Sequence, residues 1–414
     1  MYGDSRAQTG TDADEWPARL NVGLLLESGW RPTAFRQFIL KLHSRCNLAC
    51  DYCYVYEMAD QSWRRQPRSM TRATVDGVAA RIAEHAETHQ LKSVEITLHG
   101  GEPLLAGMPH LRYAVNALRS ALGERTTATV QVQTNGVLLD EPFLDLLSDL
   151  NVYVGVSLDG DAEAHDRHRR RPDGRGSHGK VTAGLERLTS PPYRHLFSGL
   201  LCALDLANDP VKTYEALLEH DPPTIDFLLP HGNWDSPPPG WSPTASPYGD
   251  WLVAVFERWR SARPRETRVR LFNEIIRQLC GSPSRSESIG LAPVAVVVVE
   301  TDGSIEQIDT LKSAYDGATR TPLHVLRNSF DEALFEPAIV ARQIGRDALS
   351  ETCLSCDLAG ICGGGLYPHR YRSGSGFRNP SVYSRDLYRL ITHIRSALRE
   401  ELAAPASRPS PAEA

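Results

Sequence analysis

At 414 residues the chain is long enough for roughly two to three domains, and its 41% hydrophobic and 23% charged residues are those of a globular protein, not a disordered one. A net charge of −6 supplies no basic footprint for nucleic acid, and no apolar run nears the ~18 residues of a membrane span. Met1–Trp16 is polar and lacks the apolar core of a signal sequence, so a cytoplasmic location is expected; six of the eight cysteines fall in two tight groups, which in a reducing compartment favours metal over disulfides.

Residues 1–20 carry Gly, Asp and Thr with no period and read as a mobile tail within a lead-in over 1–34. Residues 36–43 alternate apolar and polar as a strand does. Cys46, Cys50 and Cys53 follow at once, spaced C-x3-C-x2-C. A zinc ribbon would use C-x2-C pairs and four ligands. Three close thiols with no fourth nearby suit a four-iron cluster with one iron open to an external ligand; the alternative is a trio of buried structural cysteines. From 71 to 90 the apolar residues Val75, Val78, Ala79, Ile82, Ala83 and Ala86 recur at helical spacing, with Thr71 as N-cap.

The pattern then repeats. Strands are expected over 94–98, 128–133, 152–158, 197–206 and 225–229, with helices over 110–122, 141–150, 178–188 and 211–220. Six strands alternating with helices mean a parallel sheet with helical crossovers. Chemistry in such folds sits at the C-terminal ends of strands. Those ends carry the cysteine loop, Gly100-Gly101-Glu102-Pro103, Thr134-Asn135-Gly136 and Ser157-Leu158-Asp159-Gly160. A Gly-Gly pair permits close backbone approach, and Glu102 could accept from an ammonium group. Asn135-Gly136 alone reads as a turn, and Ser157 with Asp159 could bond a ribose. The basic run 167–175 reads by itself as a solvated charged loop.

Residues 231–247 are rich in Pro and Gly and are expected to be a linker or lid. Helices follow over 248–262 and 268–280, then a buried strand over 291–300 that ends at the Asp302-Gly303 turn. Cys353, Cys356 and Cys362 precede Gly363-Gly364-Gly365. Three thiols are one short of a closed site; zinc completed by His369 or His324 is one possibility. A helix is expected over 381–400. The proline-containing end, 403–414, reads as disordered.

At the first cysteine trio the chain resembles the radical S-adenosylmethionine (radical SAM) enzymes, whose hallmark is C-x3-C-x2-C with an aromatic, here Tyr52, before the third Cys. The resemblance implies a partial (β/α)6 barrel with Cys46, Cys50 and Cys53 on a [4Fe-4S] cluster whose open iron is chelated by S-adenosylmethionine. It places Tyr52 near the adenine, Gly100, Gly101 and Glu102 at the methionine amino group, and Arg169, in His165-Asp166-Arg167-His168-Arg169, at the carboxylate. Asn135 and Ser157 count as further cofactor contacts. The second trio resembles a SPASM-type α+β auxiliary-cluster domain, which normally has seven cysteines and two clusters. Ile308, Leu366 and Ser384 stand where that pattern has Cys. The expectation is a single auxiliary [4Fe-4S] cluster whose fourth ligand is Ser384, Asp386, a histidine, Cys280 or an exogenous group, the alternative being a cluster that is absent or labile.

Several stretches are similar to the FxsB-type cyclophane-forming peptide maturases: Cys53-Tyr54-Val55-Tyr56-Glu57, Asp226-Phe227-Leu228-Leu229-Pro230-His231 and Cys362-Gly363-Gly364-Gly365-Leu366-Tyr367 among them. That likeness implies a ribosomal precursor peptide as partner and an electron donor such as flavodoxin or ferredoxin. The implied reaction joins an aromatic ring carbon to a Cβ through a 5′-deoxyadenosyl radical, with loss of one proton and one electron. Asp309 is the candidate base, the alternative being a solvated turn aspartate. Other peptide modifications (thioether formation, epimerisation, oxidation) and a non-catalytic peptide-binding scaffold are the rival expectations. The expected organisation is lead-in 1–34, barrel 35–232, linker and bridging helices 233–280, SPASM-like domain 281–402 and tail 403–414.

Overall fold

The computed structural model describes residues 15–403. Its ten strands are β1 Gln37–His43, β2 Ser93–Gly100, β3 Thr127–Thr134, β4 Tyr153–Ser157, β5 Phe197–Ala203, β6 Thr224–Leu228, β7 Arg268–Val269, β8 Val296–Val299, β9 Ser304–Glu306 and β10 Arg320–His324. They form one mixed sheet in the order β10-β9-β8-β1-β2-β3-β4-β5-β6-β7. β1 to β6 are the expected six parallel strands, each beside the next. The sheet stays open because β1 takes β8 on its outer edge and β6 takes β7.

The helical crossovers follow from apolar stripes. Arg72–Thr88 buries Val75, Val78, Ala79, Ile82 and Ala86 against the sheet, and the Thr71 hydroxyl caps it by accepting from the Thr74 N–H at 3.1 Å. Met108–Leu122, Glu141–Asp149, His178–Leu188 and Pro210–Leu218 cover the next strands in the same way. Along β2 and β3, Val94, Ile96, Leu98, Val130 and Val132 are buried and alternate with Glu95, Thr97, Gln131 and Gln133, so one face of each strand is apolar. Among the described residues no helix is long and apolar enough to cross a membrane.

The second half of the chain is built onto this sheet. The apolar run ending in Val296-Val297-Val298-Val299 lies parallel to β1, and Gly303, at φ +97°, turns the chain back into β9. The strand is shorter than the expected 291–300. The Ala295 carbonyl already accepts from Arg36 and Gln37, while the Val294 N–H turns away to the Arg342 carbonyl. Phe330, just after β10, sets its ring 5.0 Å from that of Phe38 in β1, and neither ring is exposed. Phe38→Ala should therefore cost about 3–5 kcal/mol, read as a lower denaturation midpoint.

The terminal helix Ser384–Ala403 packs along Pro247–Ser261. Contact is closest at Gly249, where a Cβ would come within 2.7 Å of the Asp386 carbonyl; the Asp386 carboxylate accepts the Gly249 N–H at 2.9 Å.

Two expectations change. Of the stretch read as a mobile tail, residues 15–20 are packed: the Gly374 N–H donates to Glu15, and Arg378 lies over the Trp16 ring at 4.9 Å. Residues 1–14 and 404–414 lie outside the described residues. The Pro-rich 231–247 is a fixed strap, because Trp234 and Trp241 donate to the carbonyls of Pro380 and Val382 at 2.7 and 2.9 Å.

Candidate active site

The C-terminal ends of β1 to β6 open into a cavity of about 1070 Å³. Cys46, Cys50 and Cys53 line it together with Tyr52, Gly100, Gly101, Asn135, Ser157 and Arg169. The chain between β1 and the first helix is wound into turns that bring the three thiols to one wall. The Leu48 N–H points at Cys46 Sγ from 3.4 Å and Asn135 Nδ2 from 3.6 Å. Burial pushes the free thiols of Cys46 and Cys50 up to about 11 and about 12. They are protonated at neutral pH until a metal centre displaces the protons. Three sulfurs, with N–H donors turned toward them and cavity on one side, fit an iron–sulfur cluster with an open position.

The glycine pair serves this loop first. A Cβ at Gly101 would lie 1.9 Å from the Tyr56 hydroxyl and 2.6 Å from the Arg45 carbonyl. The Gly101 and Glu102 N–H groups donate to the carbonyls of His43 and Arg45 at 2.8 and 3.0 Å. The backbone after β2 is thus pressed against the chain that carries the cysteines. The Glu102 side chain is wholly buried and is absent from the cavity wall. Its Oε1 accepts from the Leu104 N–H at 3.0 Å and the Thr134 hydroxyl at 2.8 Å, and its Oε2 from the Asn135 N–H at 2.8 Å. Glu102 ties the β2 loop to the β3 loop and so sets Asn135, whose amide also holds Asn47 Oδ1 at 2.7 Å. The direct ammonium contact expected from the sequence gives way to a tether. Glu102→Gln would face the Asn135 N–H with an NH2 group. It should cost about 1–3 kcal/mol, measurable by thermal denaturation of the iron-free protein.

Asp159 organises the far wall. Its buried carboxylate accepts from the Tyr52 hydroxyl, from Arg169 Nε at 2.8 Å and from the Ala203 N–H at 2.9 Å. Arg169 sits 5.7 Å from the Tyr52 ring centroid. Although burial alone would lower it, the Asp159 carboxylate holds the guanidinium firmly protonated. The downstream glycines make this possible: a Cβ on Gly176 would overlap Asp166, whose carboxylate caps the N–H groups of Ser177 and His178 at 2.8 Å. Ser177 in turn donates to the Arg169 carbonyl at 2.6 Å. In the basic run, Arg170 is exposed and Arg171 half-buried at the rim. Ser157 lines the cavity and accepts from Gln133 Nε2 at 3.2 Å.

Asp309 is no solvated turn residue. It is 5% exposed and pairs with Lys41 at 3.0 Å. Lys41 and Lys312 share the buried carboxylates of Glu300, Glu306, Asp309 and Asp60 at 3.0–3.8 Å. Burial pushes Glu306 up, so this group tends to hold a proton. Burial, the largest single effect, would also raise Asp309, but the surrounding positive groups, Lys41 foremost and Lys312 next, together outweigh it and keep Asp309 low and ionised. Asp309 is not on the cavity wall; His99 is, and its Nδ1, otherwise without a hydrogen-bond partner, lies 4.0 Å from Asp309 Oδ2. Sequence reasoning missed His99, which stands directly before the glycine pair.

Cys353, Cys356 and Cys362 line a second cavity of about 620 Å³ beside the N-terminal end of the terminal helix. Of the fourth-ligand candidates only Ser384 shares it. Asp386 is turned to Gly249, Cys280 is exposed elsewhere, His324 bonds the Asp302 carbonyl and the His369 ring packs against that of Tyr383, tilted by 59° with centroids 4.9 Å apart.

Residues 40–190 match the family model described as "Radical SAM superfamily". The serine-type anaerobic sulfatase-maturating enzyme of Bacteroides thetaiotaomicron is 23% identical over 377 residues, 84% of this chain and 86% of that protein. Among solved structures, "Native anSMEcpe with bound AdoMet and Cp18Cys peptide" has a TM-score of 0.74 at 20% identity, covering 88% of this chain and 98% of that one. Streptococcus suis SuiB bound to precursor peptide SuiA has a TM-score of 0.56 at 13% identity, covering 89% and 80%. These likenesses establish the fold as a radical SAM domain followed by a C-terminal unit of the kind seen in anSMEcpe.

Proposed function

We propose that this chain, whose residues 40–190 form a radical SAM domain, matures a ribosomally made peptide by linking an aromatic ring carbon to a nearby Cβ. The observation that carries the reading is the shared cavity. Three thiols, the Asp159-anchored Arg169 and Tyr52, and a wall of Tyr54, Tyr248 and His231 face about 1070 Å³. Single small-ligand pockets run to roughly 300–1,000 Å³, so there is space for a cofactor with a peptide segment beside it. Relatives of this fold hold a Cp18Cys peptide or the precursor peptide SuiA, which supports a peptide as the partner here.

Cys46, Cys50 and Cys53 are the residues to hold a four-iron cluster, and Arg169 and Asn135 to orient S-adenosylmethionine. When bound and reduced, that pair supplies a 5′-deoxyadenosyl radical able to remove a hydrogen atom from an unactivated carbon. The protein's own share is positioning and proton removal. Ring closure onto an aromatic carbon leaves one proton to be taken. His99 meets the cavity and Asp309, kept ionised by Lys41, stands behind its Nδ1 as the receiving carboxylate. Cys353, Cys356 and Cys362 are the residues that would hold an auxiliary cluster, suited to accept one electron. A flavodoxin or ferredoxin would supply the reducing electron.

Resemblance to the sulfatase-maturating enzymes favours a second reading, oxidation of a serine or cysteine side chain. Co-expression with candidate precursor peptides, sought among short open reading frames near this gene, separates the two. A crosslink removes two hydrogens and leaves a segment that does not fragment between the joined residues. A fully fragmenting product that reacts with hydrazine reagents would instead be an aldehyde, and the crosslink reading would fall.

A further inference from the structure

Behind Gly364, in the wall of the second cysteine cavity, lies a buried charge, while Arg385 and Arg389 line the cavity itself. Arg370 is 8% exposed, and its guanidinium donates to the Gly363 and Gly365 carbonyls, both at 2.6 Å, while its Nε has no partner. The ionisable groups that favour its charge are Tyr367, Cys362 and Cys353, and among the described residues no carboxylate pairs with it. A buried cation left without a counter-charge is costly, so the fold is expected to supply an anion here.

The backbone is arranged around that charge. Gly363, Gly364 and Gly365 all have positive φ, at 60°, 78° and 70°, a run that side chains disfavour. It turns two carbonyls onto Arg370 and the Gly364 N–H onto the Cys362 sulfur. A Cβ on Gly364, which lines the cavity, would come within 3.0 Å of the guanidinium carbon. Ser384, at the first turn of the terminal helix, lines the same cavity, and its hydroxyl is the one oxygen among the fourth-ligand candidates to do so.

We propose that Cys353, Cys356 and Cys362 bind an iron–sulfur cluster completed by Ser384 Oγ, and that Arg370 balances its negative charge and raises its reduction potential. Binding releases the three thiol protons and the hydroxyl proton to solvent, and the resulting anionic centre sits against the guanidinium. Adding an electron increases that negative charge, so a neighbouring cation favours the reduced form. This rests on reading the second trio as a cluster site and names the residue that would fit it to accept electrons. Its test needs no peptide and leaves the first site out.

The full-length variant C46A/C50A/C53A, reconstituted without oxygen from iron and sulfide, should retain about four irons and four sulfides per chain. In that background S384A should leave one iron open to exchangeable ligands, so that added cyanide changes the paramagnetic signal of the variant and not that of its parent. R370Q should shift the midpoint potential to more negative values, and R370K should bring it back. A folding defect is separated by melting loaded and stripped protein: cluster loading should raise the melting temperature less in R370Q than in its parent. One zinc without sulfide, or no iron, in the triple variant overturns the proposal. An S384A centre identical to its parent removes the serine ligand. Equal potentials and equal loading shifts with and without the Arg370 charge remove the role of Arg370.

Discussion

Cys53→Ala should yield a folded chain that releases no 5′-deoxyadenosine from S-adenosylmethionine under a strong reductant, while the parent does. Cys53 lines the cavity wall and its thiol is one of the three that do so among the described residues. A cluster with three protein ligands cannot lose one and keep a single, defined open iron. Folding should tolerate the change, because Cys53 is only half-buried and its backbone N–H, bonded to the Cys50 carbonyl at 3.1 Å, is retained. Cys280→Ala is the matched control: that thiol is exposed, lies on neither cavity, and its loss should leave nucleoside release unchanged. Chromatographic measurement of 5′-deoxyadenosine against protein concentration reads both. Release by the Cys53 variant at the parent's rate would place the radical chemistry elsewhere.

Asp309→Asn should keep cofactor cleavage and lose peptide crosslinking by about 10²–10⁴-fold, the usual contribution of a positioned general base. The substitution keeps the shape of the side chain. Lys41 also retains Glu300 at 3.3 Å, so the buried cluster still has carboxylates for its lysines. What disappears is the ionised acceptor behind His99. His99→Gln should uncouple in the same direction, with nucleoside accumulating faster than modified peptide. The ratio of 5′-deoxyadenosine to crosslinked product, by mass spectrometry, is the readout. A ratio unchanged from the parent in both variants would remove the proton path from the account.

Much of this architecture was legible in the residues because it is local. Helix His178–Leu188 lies where its apolar spacing put it, and Thr71 caps its helix. The strand ends carrying the cysteine loop, Gly100-Gly101 and Asn135 meet on one cavity because consecutive parallel strands align their C-terminal ends. What could not be read depended on contacts distant in sequence. Nothing in 291–300 announces that its valines will lie beside β1, some 260 residues earlier. Glu102 sits in a motif that suggests a ligand contact, but its direction is fixed by Thr134 and Asn135 across the sheet. Asp309 could be named in the sequence as a candidate base or a solvated turn aspartate, but the Lys41 and His99 that surround it lie far away in the chain. Arg370 is one arginine among many until the three glycines fold their carbonyls onto it.

The proposed function requires that the first cysteine trio carry an iron centre on which S-adenosylmethionine binds and is cleaved. The most direct measurement is paramagnetic resonance of the reduced, oxygen-free protein with and without S-adenosylmethionine, with the released nucleoside measured from the same sample. The account predicts a cluster signal that changes on adding the cofactor and disappears in Cys53→Ala, accompanied by 5′-deoxyadenosine. A fully iron-loaded protein whose signal ignores S-adenosylmethionine, and which releases no nucleoside, would contradict it.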